Sequence, residues 1–398
     1  MITLDKIYHA SYVLKEVVRR TDLIPAPTLC PGSEIYIKPE NLQITGSFKV
    51  RGAYYKISRL SEEERRRGVI ACSAGNHAQG VALAAQRSGI HATICLPDIA
   101  PISKVEATRR YGAEICLVPG VYDDAYQRAL QLRDEKGYTF IHPFNDEDVI
   151  AGQGSIGLEL LDQLPDLDAV IVPIGGGGLI SGVAFAIKSL NPRVKVYGVQ
   201  ASGANSMGHS LELGYPDALP RVTTFADGIA VKCPGDQTYD LVHRYVDEIV
   251  TVSEDEIATA VLALIEKHKL IAEGAGAVSI AAAMFHKLPI EGKKVICLVS
   301  GGNIDVTILS RVISRGLLQT GRTLDVTLAL SDRPGQLTQV SRIISEHGGN
   351  VVSVIHDRSD LGMQVTDCFL RLSLETRDHA HADEIRQALT DAGFTIVN

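Results

Sequence analysis

Lys49 lies in the stretch Thr45-Gly46-Ser47-Phe48-Lys49-Val50-Arg51-Gly52, directly after an aromatic residue and a Gly/Ser turn. A helix-compatible run, Ala53-Tyr54-Tyr55-Lys56-Ile57, follows it. A primary amine placed there can carry a cofactor aldehyde. It can equally be an ordinary surface lysine in a first helical turn. The rest of the chain decides between the two, because such a cofactor needs other partners.

Three loops offer them. In Ser73-Ala74-Gly75-Asn76-His77-Ala78-Gln79-Gly80, Gly75 lets backbone approach a ligand. The helix start that follows presents free N–H groups to a carboxylate or phosphate. Asn76 can donate to a phenolate-like oxygen, or can simply cap the helix. In Val172-Pro173-Ile174-Gly175-Gly176-Gly177-Gly178-Leu179, four glycines leave successive amides free to wrap a phosphate. That loop lacks the Lys-Ser/Thr end of a nucleotide P-loop and the third glycine of a dinucleotide fingerprint, so a single phosphate fits it better. In Leu298-Val299-Ser300-Gly301-Gly302-Asn303, Ser300 offers a neutral hydroxyl. An amine, an aromatic ring, a phosphate cup, an oxygen-binding amide and a neutral hydroxyl together match the contacts that pyridoxal 5′-phosphate requires.

All three loops follow apolar runs that read as buried strands. Such runs occur at 69–72, 92–96, 114–118, 139–141, 169–172, 194–199 and 295–299. Helix-period segments lie between them, at 80–87, 102–111, 125–136, 179–190 and 255–268. This alternation predicts an α/β fold with parallel sheets covered on both faces, whose ligands bind at the carboxyl ends of strands. Near residue 318 the pattern changes. Gln319-Thr320-Gly321-Arg322 reads as a linker, and strands at 323–330, 351–356, 367–374 and 395–397 interleave with helices at 337–346 and 382–392. That order is βαββαβ, a ferredoxin-like plan of about 75 residues.

Bulk properties set limits. A length of 398 residues allows about two or three domains. The formal net charge of −8 argues against non-specific binding to nucleic acid or to anionic membrane. Neither a signal peptide nor a transmembrane helix is indicated. Seven scattered cysteines, none in Cys-x-x-Cys spacing, suit a reducing cytoplasm and no zinc site.

At this point the chain resembles the fold-type II pyridoxal-phosphate enzymes, and within them the threonine and serine dehydratases. The motifs carrying the resemblance are Lys38-Pro39-Glu40-Asn41-Leu42-Gln43, the segment 46–53 around Lys49, residues 73–80, residues 175–179 and residues 300–303. The resemblance implies a catalytic domain over 1–318, with a small subdomain of about 50–143 inserted in a larger one. It implies that Lys49 holds the cofactor and then acts as acid and base at the substrate Cα. Phe48 would pack near the ring, Asn76 would bind the ring's 3′-oxygen, and Gly175, Gly176, Gly177, Gly178 and Leu179 would bind the phosphate. Ser300 would face the ring nitrogen, and Ser73, Ala74, Gly75 and Asn76 would hold the substrate carboxylate. The implied reaction is β-elimination of L-threonine to 2-oxobutanoate and ammonia, with L-serine also accepted. Other readings are an L-serine dehydratase or β-replacement enzyme of the same fold, or a non-catalytic regulator that binds amino acids.

Racemases similar to this group carry serine where Ala74 stands, so efficient racemisation is not expected. Gln200 and Ser206 occupy the approximate positions of a glutamate and an aspartate that hold a metal in those relatives, and no metal is expected. Glu273 matches a glutamate near the family's active site, although it can be only a helix N-terminal charge. The segment 319–398 resembles an ACT domain, through Asp332-x-Pro334-Gly335-x-Leu337 and Gly348-Gly349-Asn350. That resemblance implies an amino-acid effector site formed by the first turn and the start of the second strand, usually across a dimer of such domains, with Asp332 and Asn350 as candidate contacts, and a homodimer or homotetramer. A single module of this kind differs from the longer two-module biosynthetic dehydratases and gives no ground to expect isoleucine inhibition.

Overall fold

The computed structural model describes residues 2–359 and 364–397. The chain forms two compact units, Met1–Leu309 and Ser310–Asn398.

The first unit contains two sheets. Residues 69–140 supply four parallel strands in the order Glu114–Val118, Ala92–Pro97, Val69–Cys72, Thr139–Phe140. The two inner strands, Val69–Cys72 and Ala92–Pro97, are buried along their whole length. Their unbroken apolar runs reflect cover on both faces. The second sheet has six strands, in the order Ile24–Pro25, Glu34–Pro39, Lys294–Val299, Ala169–Pro173, Lys195–Ala201, Glu248–Val252. Only Ile24–Pro25 runs antiparallel to its neighbour.

The runs expected as strands all form strands, within one or two residues at their ends. The segment expected as one helix over 255–268 instead divides. It is α-helical over Glu254–Ala263, then widens to a π turn over Leu264–His268, which Lys269 ends with a left-handed φ of 58°.

Strand Glu34–Pro39 has no simple apolar pattern because one of its inward residues is charged. Lys38 is fully buried. It donates to Glu159 Oε2 and to the Thr21 carbonyl, both at 2.6 Å. Arg51, also fully buried, grips Glu40 through Nε and Nη2 at 2.8 Å each, and reaches Glu159 through Nη1 at 2.6 Å. Two cations and two carboxylates therefore balance within the core, and Thr21 and Ser155 satisfy further hydrogen-bonding capacity. Breaking such a set leaves an unpaired buried charge, a loss far larger than that of a surface ion pair. The set ties helix Lys49–Ser58, which begins at Lys49, to helix Glu147–Gln163 and to the end of strand Glu34–Pro39.

The second unit has the βαββαβ order. Its antiparallel sheet runs Asn350–Asp357, Asp367–Glu375, Thr323–Ser331, Thr395–Ile396, with helices Gln336–Glu346 and His379–Asp391. Alternate residues Leu324, Val326, Leu328 and Leu330 face the same core as Leu370, Leu372 and Leu374. The last strand beside the first, and the second on the outer edge, is the ferredoxin-like arrangement.

Candidate active site

The turn before Lys49 is fixed from behind. Gly46 takes a φ of 70°, and a Cβ there would lie 2.4 Å from Asn303 Oδ1, so the turn needs glycine on both counts. Ser47 bridges to Gly301, and the Phe48 N–H donates to the Ser300 carbonyl at 3.1 Å. The loop is thus pinned to the carboxyl end of strand Lys294–Val299. Lys49 opens the helix, and its Nζ donates to the Pro143 carbonyl at 2.8 Å. Burial holds the amine down at about 8, against the opposing attraction of Glu273. The surface-lysine alternative is therefore wrong: this amine is desolvated and loses its proton near neutrality. Two imidazoles nearby stay neutral. Burial lowers His77 to about 3 and His142 to about 4, and Lys49 adds to both shifts.

Gly75, not Asn76, occupies the cap position of helix Asn76–Ser88, so Asn76 does not cap that helix. No side chain caps this N-terminus. A Cβ on Gly75 would meet nothing within 4 Å, which leaves the loop open on one side. Asn76 Nδ2 donates to Glu273 Oε1 at 2.7 Å, and Asn76 Oδ1 accepts from Asn303 Nδ2 at 2.7 Å. Glu273 is 4% exposed at the cap position of helix Gly274–Met284. Burial pushes its carboxyl up to about 7, with Asp227 adding to the rise. It is more than a helix N-terminal charge.

The glycines of 175–178 are dictated by packing against protein. A Cβ on Gly176 or Gly178 would strike Phe144, at 2.4 and 2.8 Å, and one on Gly177 would strike Met207 and Thr238. Gly177 also needs its positive φ of 95°, at the cap of helix Gly178–Leu190. Thr238 Oγ1 donates to the Gly176 carbonyl at 2.6 Å and holds the loop. This helix too lacks a side-chain cap, so its first-turn N–H groups remain for an anion.

Phe48, Lys49, Ser73, Ala74, Gly75, Asn76, Gly175 through Leu179 and Ser300 all border one cavity of about 740 Å³. Ser300 is buried and donates weakly to the Ala275 carbonyl at 3.3 Å. Several lining groups carried no sequence pattern: Pro143, Phe144, Tyr122, and Lys104, which pairs with Asp227 at the rim. Gln200 lies outside this lining. Its amide donates to the Ala204 carbonyl at 3.1 Å and accepts from the Gly208 N–H at 2.9 Å, which braces the turn after strand Lys195–Ala201. Ser206 is also buried.

A desolvated amine, two uncapped helix N-termini and a neutral hydroxyl around one cavity fit pyridoxal phosphate. Residues 14–301 match the family described as pyridoxal-phosphate dependent enzyme. The chain belongs to that family. It is 52% identical over 398 residues, covering 100% of this chain and 99% of the relative, to an L-threonine ammonia-lyase of Thermotoga maritima. It is 43% identical, over the same coverage, to an L-threonine ammonia-lyase of Geobacter sulfurreducens. Its fold is similar to threonine deaminase isoform 2 of Solanum lycopersicum, with a TM-score of 0.74 and 39% identity, over 78% of this chain and 93% of that one. In this pyridoxal-phosphate enzyme the fold class is the one the motifs implied.

In the second unit the two candidate effector contacts lie far apart. Asp332 and Asn350 stand at opposite ends of the sheet. Asp332 follows Ser331, which pairs with Asp367, whereas Asn350 pairs with Glu375. Eight residues at about 3.4 Å each separate those partners by roughly 27 Å. One amino acid within one chain cannot touch both. Asn350 Nδ2 instead donates to Glu375 at 2.8 Å. Asp332 borders a small cavity with His356, Arg358 and Cys368, and pairs with Arg358 at 2.8 Å.

Proposed function

We propose that this protein eliminates water from L-threonine, giving 2-oxobutanoate and ammonia, and accepts L-serine as a second substrate. The carrying observation is the Lys49 amine, half-buried and depressed by desolvation to about 8 in a cavity that also holds two uncapped helix starts. Full-length similarity to proteins named L-threonine ammonia-lyase supports the choice of substrate.

When bound, pyridoxal phosphate supplies the electron sink that makes the Cα–H of an amino acid acidic. The chain's own groups do the rest. The N–H groups of residues 175–179 would hold the phosphate. Asn76 would donate to the ring's 3′-oxygen. Ser300 would face the ring nitrogen with a hydroxyl, which cannot keep that nitrogen protonated as a carboxylate would. A sink without a carboxylate at its nitrogen would be shallow, which would suit early loss of the β-substituent. The open backbone at 73–76 receives the substrate carboxylate at a helix N-terminus. Lys49, whose hold on its proton is weakened by desolvation, takes the Cα proton in its uncharged form. Ala74 offers no acid on the opposite face, so elimination is favoured over racemisation.

The C-terminal unit serves in this reading as an ACT-type amino-acid sensor. Asp332 is paired there with Arg358, and the two offer an anion and a cation for an amino acid's ammonium and carboxylate. The reading extends to a homo-oligomer in the cytoplasm, acting in amino-acid metabolism.

The test measures 2-oxobutanoate from threonine and pyruvate from serine, with Lys49→Ala alongside. Threonine turnover that Lys49→Ala abolishes is the expected result. Pyruvate formed from serine alone favours the serine dehydratase. Turnover unaffected by Lys49→Ala overturns the assignment of the amine. Calorimetric titration of the full chain with individual amino acids tests the sensor, which fails if only the Lys49 cavity responds.

A further inference from the structure

The motif Ser300-Gly301-Gly302-Asn303 ends on an asparagine that the mechanism does not use. Its amide nitrogen makes two short hydrogen bonds, to the Thr45 carbonyl and to Asn76 Oδ1, each at 2.7 Å. Asn76 Nδ2 then donates to Glu273 Oε1, again at 2.7 Å. These three bonds join segments some 200 residues apart in sequence and converge on the residue that faces the cofactor's oxygen.

The direction of this chain is not arbitrary. An asparagine amide has an acceptor end and a donor end that are nearly isosteric, so its orientation is set by its partners. A backbone carbonyl can only accept. Thr45 O therefore fixes which end of Asn303 is nitrogen. That nitrogen, facing Asn76, fixes the near end of Asn76 as oxygen. The far end of Asn76 must then be the NH2 group, which has two hydrogens. Glu273 takes one, and the other is left for the cavity. The turn's geometry enforces the first bond, because the space beside Gly46 is filled by Asn303 itself.

We infer that Asn303 is a positioning residue that sets the polarity of Asn76, so that a donor and not an acceptor meets the cofactor's 3′-oxygen. Thr45, four residues before Lys49, is the origin of that polarity. The turn carrying the amine and the group that binds the ring oxygen are thereby oriented by one side chain. The inference rests on the reading of Asn76 as the 3′-oxygen donor.

The test uses Asn303→Asp, which replaces the donor by an acceptor of the same shape. Facing the introduced carboxylate, Asn76 turns its NH2 away from the cavity and presents its oxygen there. Titration of the cofactor-stripped protein with pyridoxal 5′-phosphate should show binding weaker by about ten- to a hundredfold, the loss of one hydrogen bond to a charged group. The reconstituted protein should also shift absorbance from its longer-wavelength band to its shorter one. A double-mutant cycle isolates the route. In an Asn76→Ala background, Asn303→Asp should have no further effect on affinity. An unchanged affinity and band ratio in Asn303→Asp, or an equal loss in the Asn76→Ala background, overturns the inference. Parent-like affinity in Asn76→Ala alone overturns the reading beneath it. Should Asn303→Asp not fold, as judged by circular dichroism, Asn303→Ala carries the same cycle.

Discussion

Lys49 Nζ donates to the carbonyl oxygen of Pro143 at 2.8 Å, across 94 positions of sequence. The bond holds the amine at the cavity wall, between the two parallel sheets. Burial there, more than any single charge, depresses its proton affinity.

Attachment of pyridoxal phosphate to the stripped protein needs the unprotonated amine. Its rate should climb with pH and level off above about 8, where a lysine at the ordinary 10.5 would keep climbing. Stopped-flow absorbance across pH 6.5 to 10, chosen to span about 1.5 or more pH units each side of the midpoint, measures it. Glu273→Gln removes the attraction that opposes burial, and the midpoint should move lower.

Glu273 also carries a stability signature. Its carboxyl lies at about 7 in the fold and near 4.5 when unfolded. Between those values the unfolded state has released the proton and the folded state has not, so stability falls as pH rises and then stays level. Glu273→Gln abolishes that loss. Urea denaturation of the stripped proteins should show the variant gaining on the parent between pH 5 and pH 8, and an equal difference at both values would refute the burial argument.

Gly176→Ala places a methyl against the Phe144 ring. Overpacking of this kind costs about 1–3 kcal/mol. It also displaces the loop proposed to offer amides to the phosphate, so cofactor affinity should fall with stability. Gly75→Ala is the contrast, since its methyl enters open space. It should keep its denaturation midpoint and raise the Michaelis constant for threonine.

Arg51→Met leaves Glu40 without a cation in the core, while Glu159 keeps Lys38. The expected loss is about 3–5 kcal/mol, read from the denaturant midpoint. Arg51→Lys keeps the charge but not the two-pronged grip on Glu40, and should fall between.

In the proposed mechanism Ala74 lies on the face opposite the amine, and Ala74→Ser would put a hydroxyl there. D-serine formed from L-serine should increase relative to pyruvate, as measured by chiral chromatography. A ratio no higher than the parent's would sink the opposite-face argument.

The chain's order of elements was legible because buried parallel strands are contiguous apolar strings, such as Val69-Ile70-Ala71-Cys72. The exceptions have physical causes. Strand Glu34–Pro39 is hidden by Lys38, whose charge is neutralised by Glu159 at 121 positions' distance. The split in the helix after Ala263 has no local breaker, since neither glycine nor proline interrupts 254–268.

The sequence by itself determined the family, the amine and the loops that surround it, since each is a short string whose residue types state their chemistry. Only the tertiary structure decided which way those groups point. The depressed Lys49 amine, the raised Glu273 carboxyl, the polarity of Asn76 and the separation of Asp332 from Asn350 all depend on neighbours remote in the chain. Burial and hydrogen-bond direction are properties of a shared space, and no local string encodes them.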